Sequence, residues 1–317
     1  MNLTILLSGI KVNSFYQLVE RLCWQAHFKD TSHYHSKKMY GNIRLAFLVC
    51  YKEKLNASYR RFVEICDENH VQRMLCIKRI PHFTTLQKFV QRTPKTLFET
   101  LVRACRKLLN LKDVTASVDG TGFSNTNPSQ YYCKRIDGKT PKNYTKTLFL
   151  TDNKTKLILN IRTHSDHTSE TIDFIPLVSE LKNSLSCVLA DKAYDSKANR
   201  RYCWDNNIEV HIPVREWKQH RAGYGLKPFL KSKYRKKAAK LFNKQKYNYR
   251  ALIESVNSAI KRTLGSYVCS RRAGNQQKQV TIKAIAYNIE HIGRTIKIWL
   301  YINCQVFLHR SPPRKAF

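Results

Sequence analysis

"DVTASVDGTGF", residues 113–123, is the stretch on which the fold turns. Val114, Ala116 and Val118 alternate with Thr115, Ser117 and Asp119, the two-residue period of a half-buried strand, and the glycines after Asp119 predict that the strand ends in a turn. Upstream the period is helical: in "GNIRLAFLVCYKEKLNASYRRFVEICDENH" (41–70) apolar residues recur three and four apart. Pro81 punctuates the next segment, where Thr84 or Thr85 is expected to cap a helix, and "PKTLFETLVRACRKLLNL" (94–111) supplies another. Residues 1–110 therefore read as a helical N-terminal region.

Downstream, "KTLFLT" and "KLILNIRT" flank "DNK" as a hairpin, and "SETIDFIPLVSELKN" reads as a helix that Pro176 disfavours internally. "SCVLAD" (186–191) is the continuous apolar run of a buried parallel strand. A helix over "SKANRRYCWDNN", a strand over "IEVHIPV", a helix at 247–264 and a last helix near 278–297 complete the order. Strand, hairpin, helix, strand, helix, strand is satisfied by an α/β fold, a mixed sheet flanked by helices, over residues 111–317.

The 317 residues are 42% hydrophobic and 25% charged, a folded composition, yet the formal net charge is +35. The excess is +12 over residues 1–110 and +23 beyond, so it is no mere tail. Charge of this size favours a polyanionic partner, nucleic acid before an anionic membrane surface. The apolar stretches "LTILLSGI" and "IKIWLYINCQVFL" are respectively too short and interrupted by Lys297, so no membrane span is expected. The ten cysteines fall singly, with no Cys-x-x-Cys pair, and read as reduced thiols of a cytoplasmic protein. His33 and His35, and His164 and His167, lack an acid or cysteine to complete a metal set and read as surface histidines.

From residue 217 to the C-terminus there are 23 lysines and arginines but only two carboxylates, Glu254 and Glu290. At about 100° per residue, Tyr247, Arg250, Glu254 and Lys261 fall within an arc of about 60° on the predicted helix, opposite Leu252, Ile253, Val256, Ala259 and Ile260. Arg250 and Glu254 also suit an ordinary i,i+4 ion pair. Asp119 lies at a strand end and Asp191 directly follows "CVLA", where ligand sites gather in such sheets. Each aspartate alone serves equally as a turn or cap residue. Together the three acids offer oxygen ligands for two Mg²⁺ ions acting on a phosphodiester. Asp195, one turn after Asp191, reads as the cap of the following helix. Residues 218–246 hold eleven lysines and arginines with no acid. This basic segment, Lys233, Arg235, Lys236 and Lys237 among it, with Phe229, Tyr234 and Phe242 interleaved, reads as a DNA-tracking surface.

These blocks resemble the DDE transposases of prokaryotic insertion sequences. The family's helix signature of Tyr, two residues, Arg, three residues, Glu, six residues, Lys fits Tyr247, Arg250, Glu254 and Lys261. "SVDGTGF" is similar to the block of its first aspartate, which falls on Asp119, and "VLADKAYDS" to that of the second, which falls on Asp191. "RIPHFTTLQKF" resembles the helical region ahead of the catalytic domain, so the likeness runs from about residue 58 to about 295.

The resemblance implies an RNase H-like catalytic domain in which Asp119, Asp191 and Glu254 are catalytic and bind two Mg²⁺, Mn²⁺ substituting. It implies cleavage at the element's ends and joining of the freed 3′-hydroxyls to target DNA, with Tyr247, Arg250 and Lys261 on the DNA backbone. A homo-oligomer on DNA and a nucleoid-associated location are expected with it. The 62 residues between Asp191 and Glu254 leave no room for the strand-rich insertion some relatives carry there. A metal-dependent nuclease on the same fold and an inactive DNA-binding relic are the alternatives.

Overall fold

The computed structural model describes residues 12–31, 39–125, 144–165, 170–214 and 232–308. His33, His35, Asp166, His167 and residues 218–231 of the basic segment lie outside them. The N-terminal region is helical: α1 (Val12–Gln25), α2 (Asn42–Lys54), α3 (Tyr59–Glu68), the single turn α4 (Val71–Met74), α5 (Phe83–Arg92) and α6 (Lys95–Leu108). The cap of α5 differs from expectation. His82 stands at the N-cap, its ring accepting from Thr84 N–H, which places Thr84 inside the first turn.

A five-stranded sheet follows, in the order β3-β2-β1-β4-β5: β1 (Val114–Ser124), β2 (Tyr144–Asp152), β3 (Ile158–His164), β4 (Leu185–Ala190) and β5 (Glu209–His211). The first three strands are antiparallel, while β4 pairs parallel with β1 and β5 parallel with β4. That order and sense make the fold RNase H-like. Helix α7 (Glu170–Ser179), which tolerates Pro176, precedes β4, and α8 (Lys197–Asp205) crosses from β4 to β5. Strand β1 does not stop at its glycines. Nine pairs with β2, from Ala116 opposite Asp152 to Ser124 opposite Tyr144, hold it extended through Gly120 and Gly122. The Tyr144 ring lies 2.8 Å from where a Cβ on Gly122 would stand, so a larger residue has no room there.

After the sheet come α9 (Lys233–Leu241), α10 (Lys244–Asn248), α11 (Ala251–Leu264) and the long α12 (Ala273–Leu308), which begins earlier and ends later than its sequence pattern suggested. The expected helix from residue 247 is thus two helices. Between them Tyr249, Arg250, Leu252 and Ile253 each donate to the carbonyl three residues back, a tight 3₁₀ junction that turns the chain before α11. Gly265, at φ +85°, ends α11 in a conformation that favours glycine.

One continuous apolar core runs from α1, α2 and α6 through the sheet to α11 and α12. A buried ionic cluster ties the two regions. Glu53 of α2 accepts from Lys52 at 2.6 Å, pairs with Lys283 of α12 at 3.1 Å, and accepts from Gln279 at 3.1 Å. Burial raises the Glu53 pKa, but Lys52 and Lys283 outweigh it and hold the carboxyl below its ordinary value. Lys283 also bonds the Leu264 carbonyl, one of the unpaired acceptors at the end of α11. No described helix is long and apolar enough to cross a membrane.

Candidate active site

The parallel pairing of β1 with β4 sets two of the three acids side by side. Val118 is opposite Ala190, so Asp119 and Asp191 are the next residues on neighbouring strands, whose backbones run about 5 Å apart. Asp191 leaves the sheet and caps a short 3₁₀ turn, its Oδ1 accepting from Lys192 N–H at 2.6 Å. Helix α11 buries Ile253, Val256, Ile260 and Leu264, each worth about 1.5–3 kcal/mol, and packs along β1 with its polar edge over Asp119.

That edge brings Glu254 into the same site through Arg250. Arg250 Nη2 donates to Glu254 Oε1 at 2.6 Å, and Nη1 stands 3.8 Å from Asp119 Oδ1. One guanidinium therefore lies between two carboxylates from different elements. Burial disfavours its charge, but Tyr247, Asp119 and Glu254 outweigh that and raise its pKa. Glu254 is 59% exposed, whereas Asp119 is 22% exposed, so the acid on the helix faces solvent. Lys261, two turns further along the same face, stands 5.8 Å from the centre of the Phe123 ring. Burial pulls its pKa down while Asp119 opposes the shift. Tyr247 arrives from α10 rather than α11, its ring 5.4 Å from that of Phe242. Burial raises its phenol pKa, Arg250 opposes, and Asp191 and Glu254 add to the rise. Tyr247, Arg250, Glu254, Lys261, Asp119 and Asp191 thus share one site, although the helix proposed to carry four of them is broken.

Sequence reasoning missed Asn257. It is 8% exposed, and its Nδ2 donates to Asp119 Oδ2 at 3.1 Å. The only available signal was an amide at the border between the polar and apolar arcs of the helix.

The basic helix α9 is only partly a free surface. Lys233, Lys236 and Lys237 are exposed, with Lys237 stacked over the Trp204 ring. Arg235 is committed inward: its Nε bonds Asp195 Oδ2 at 3.0 Å and its Nη2 the Asp195 carbonyl at 3.1 Å. Asp195 does not cap α8, a role that Ser196 takes. Its fully buried carboxylate instead joins Arg235 to Arg200, whose Nε lies 2.7 Å from Oδ1. His164 pairs with Asp173 at 2.8 Å.

Among the described residues, only Cys187, Glu209 and His211 bring three metal-ligating atoms within 4.8 Å of one another. They do not fit an ion. His211 Nδ1 accepts from Asn243 N–H at 3.2 Å, which puts the ring proton on Nε2, toward Glu209. Lys246 already holds both Glu209 oxygens, at 3.0 and 2.8 Å, and burial pushes the Cys187 thiol up to about 12. Asp119, Asp191 and Glu254 are more widely spread. The all-oxygen donor set suits a hard cation, and Arg250 already places positive charge between two of its members.

A family model described as the transposase DDE domain matches residues 110–289. No protein of curated function matches the sequence. Among solved structures, the chain is similar to a piggyBac transposase in a synaptic complex with hairpin DNA, at a TM-score of 0.41 and 11% identity, over 95% of this chain and 80% of that one.

Proposed function

The chain belongs to the transposase DDE-domain family, and from that premise we propose that it cleaves DNA at the ends of its element and joins the freed 3′-hydroxyls to target DNA. Asp119, Asp191 and Glu254 would hold two Mg²⁺ ions, which Mn²⁺ could replace, and such ions would supply activation of a water or 3′-hydroxyl and stabilisation of the leaving oxygen. The observation that carries this reading is the convergence of Asp119 and Asp191, each following the paired Val118 and Ala190 of adjacent parallel strands, with Glu254 joined to Asp119 through Arg250.

The other residues of the site position the DNA backbone. Arg250 presents a planar donor fork suited to phosphate oxygens, and Lys261, partly desolvated, meets phosphate with little water to displace. Tyr247, a phenol whose pKa burial raises above its ordinary value, donates a neutral hydrogen bond. Lys233, Lys236 and Lys237 track the backbone further out, and Arg235 fixes the helix that carries them. The helical region over residues 1–110 reads the element ends, and because two ends are joined together the working form on DNA is at least a dimer. A plasmid carrying the gene with its native flanks, incubated with Mg²⁺ and mapped to the nucleotide, tests the proposal. Breaks at fixed flanking positions are expected with the wild type and absent with Glu254→Gln, which keeps DNA binding. Equal breakage by both proteins overturns the role of Glu254.

A further inference from the structure

Asn257 is a buried polar side chain at the edge of the apolar face of α11. It lies one turn after Glu254 between Val256 and Ile260, is 8% exposed, and faces the sheet with them. A buried amide is costly unless its groups are bonded. Its Nδ2 is bonded to Asp119 Oδ2, but its Oδ1 has no hydrogen-bond partner among the described residues. The two oxygens of Asp119 are thereby made different: Oδ2 is held from α11, while Oδ1 faces the Arg250 guanidinium at 3.8 Å.

A carboxylate that coordinates a hard cation through one oxygen needs its torsion fixed, and a donor on the other oxygen does this. We propose that Asn257 is a positioning residue of the reaction. Through its bond to Oδ2 it fixes which oxygen of Asp119 is presented to a divalent cation. The inference rests on the reading of Asp119 as a metal ligand.

The test is a titration of the full-length chain with Mn²⁺ alone, following free Mn²⁺ by electron paramagnetic resonance. Asn257→Leu keeps the branching of the side chain and removes both polar groups. It is expected to weaken Mn²⁺ binding by about tenfold or more, with DNA affinity in EDTA unchanged. Val256→Ala disturbs packing on the same helix; it is expected to lower the unfolding temperature and leave Mn²⁺ affinity alone. Should Asn257→Leu fail to fold, Asn257→Ser, too short to reach Oδ2, carries the same expectation. Mn²⁺ affinity within about twofold of wild type for the Asn257 variant overturns the inference when Asp119→Asn abolishes binding, as does an equal loss in Val256→Ala. Undiminished binding by Asp119→Asn is a different failure, because it removes the metal-ligand reading itself.

Discussion

Replacing Asp195 by Asn leaves the size of the side chain unchanged and removes the carboxylate that Arg200 and Arg235 share. The Asp195 carboxylate is fully buried, and the two arginine side chains are 2% and 13% exposed. Removing one partner of a buried pair costs about 3–5 kcal/mol, because the remaining charge is left uncompensated. Here two guanidiniums lose their counter-ion, and the new amide nitrogen points a donor at one of them, so the upper half of that range is expected. Against a total stability of about 5–15 kcal/mol, this is a large fraction. In urea, with a slope of about 3 kcal/mol/M, the unfolding midpoint followed by circular dichroism should fall by about 1–2 M at unchanged slope. Arg235→Leu leaves the Asp195–Arg200 pair intact and should cost about 1.5–3 kcal/mol. The double variant should lose less than the sum of the two, since both changes act on one network. A midpoint for Asp195→Asn within about 0.3 M of wild type, under about 1 kcal/mol at that slope, would refute the assignment of Asp195 as the buried link between Arg200 of α8 and Arg235 of the basic helix.

Other consequences are as direct. Arg250→Ala removes the cation between Asp119 and Glu254, so cleavage should fall by about a hundredfold while its Mg²⁺ midpoint moves to lower concentration; a move to higher concentration contradicts the bridging role. Changing Lys233, Lys236 and Lys237 to Ala should each flatten the salt dependence of DNA binding by about 0.9 log units per log of salt, and Arg235→Leu by less; an unchanged slope removes α9 from the interface. Burial raises the thiol pKa of Cys23, Cys66, Cys105, Cys187 and Cys203 to about 12, and raises that of Cys50 well above its ordinary value. Peptide-resolved alkylation of the native protein at pH 8 should therefore modify the exposed Cys76 and Cys269 and spare those six. Burial also lowers the pKa of His291 below 6.5. Its contribution to stability is then full above pH 6.5 and is lost as pH falls toward the folded value, so the acid-side decline in unfolding temperature should be smaller in His291→Gln.

What the sequence displayed of this fold was what repeats locally. The alternation around Asp119 and the apolar run before Asp191 announced the two strands whose parallel register aligns those acids, and the signature spacing joined Arg250 to Glu254. Contacts that join distant segments had no local trace. Asp195 and Arg235 are forty residues apart in sequence, and nothing near either one told of the other, so Asp195 read as a cap and Arg235 as a surface base. The break before α11 depends on four 3₁₀ hydrogen bonds that a helical wheel does not distinguish from a continuous helix. Glycines 120 and 122 suggested a turn because their pairing with β2 is invisible in a single strand. Asn257 sat at the border between the polar and apolar arcs, where a wheel assigns no role.

The central claim is that Asp119, Asp191 and Glu254 together hold divalent ions. Crystals of the chain with a short duplex and Mn²⁺, measured at a wavelength where manganese scatters anomalously, test it most directly. Two anomalous peaks bounded by these three carboxylates are the expected result, with Arg250 withdrawn from at least one of its partners. Peaks at Cys187, Glu209 and His211 instead, or none near Asp119 with the duplex in place, contradict the claim.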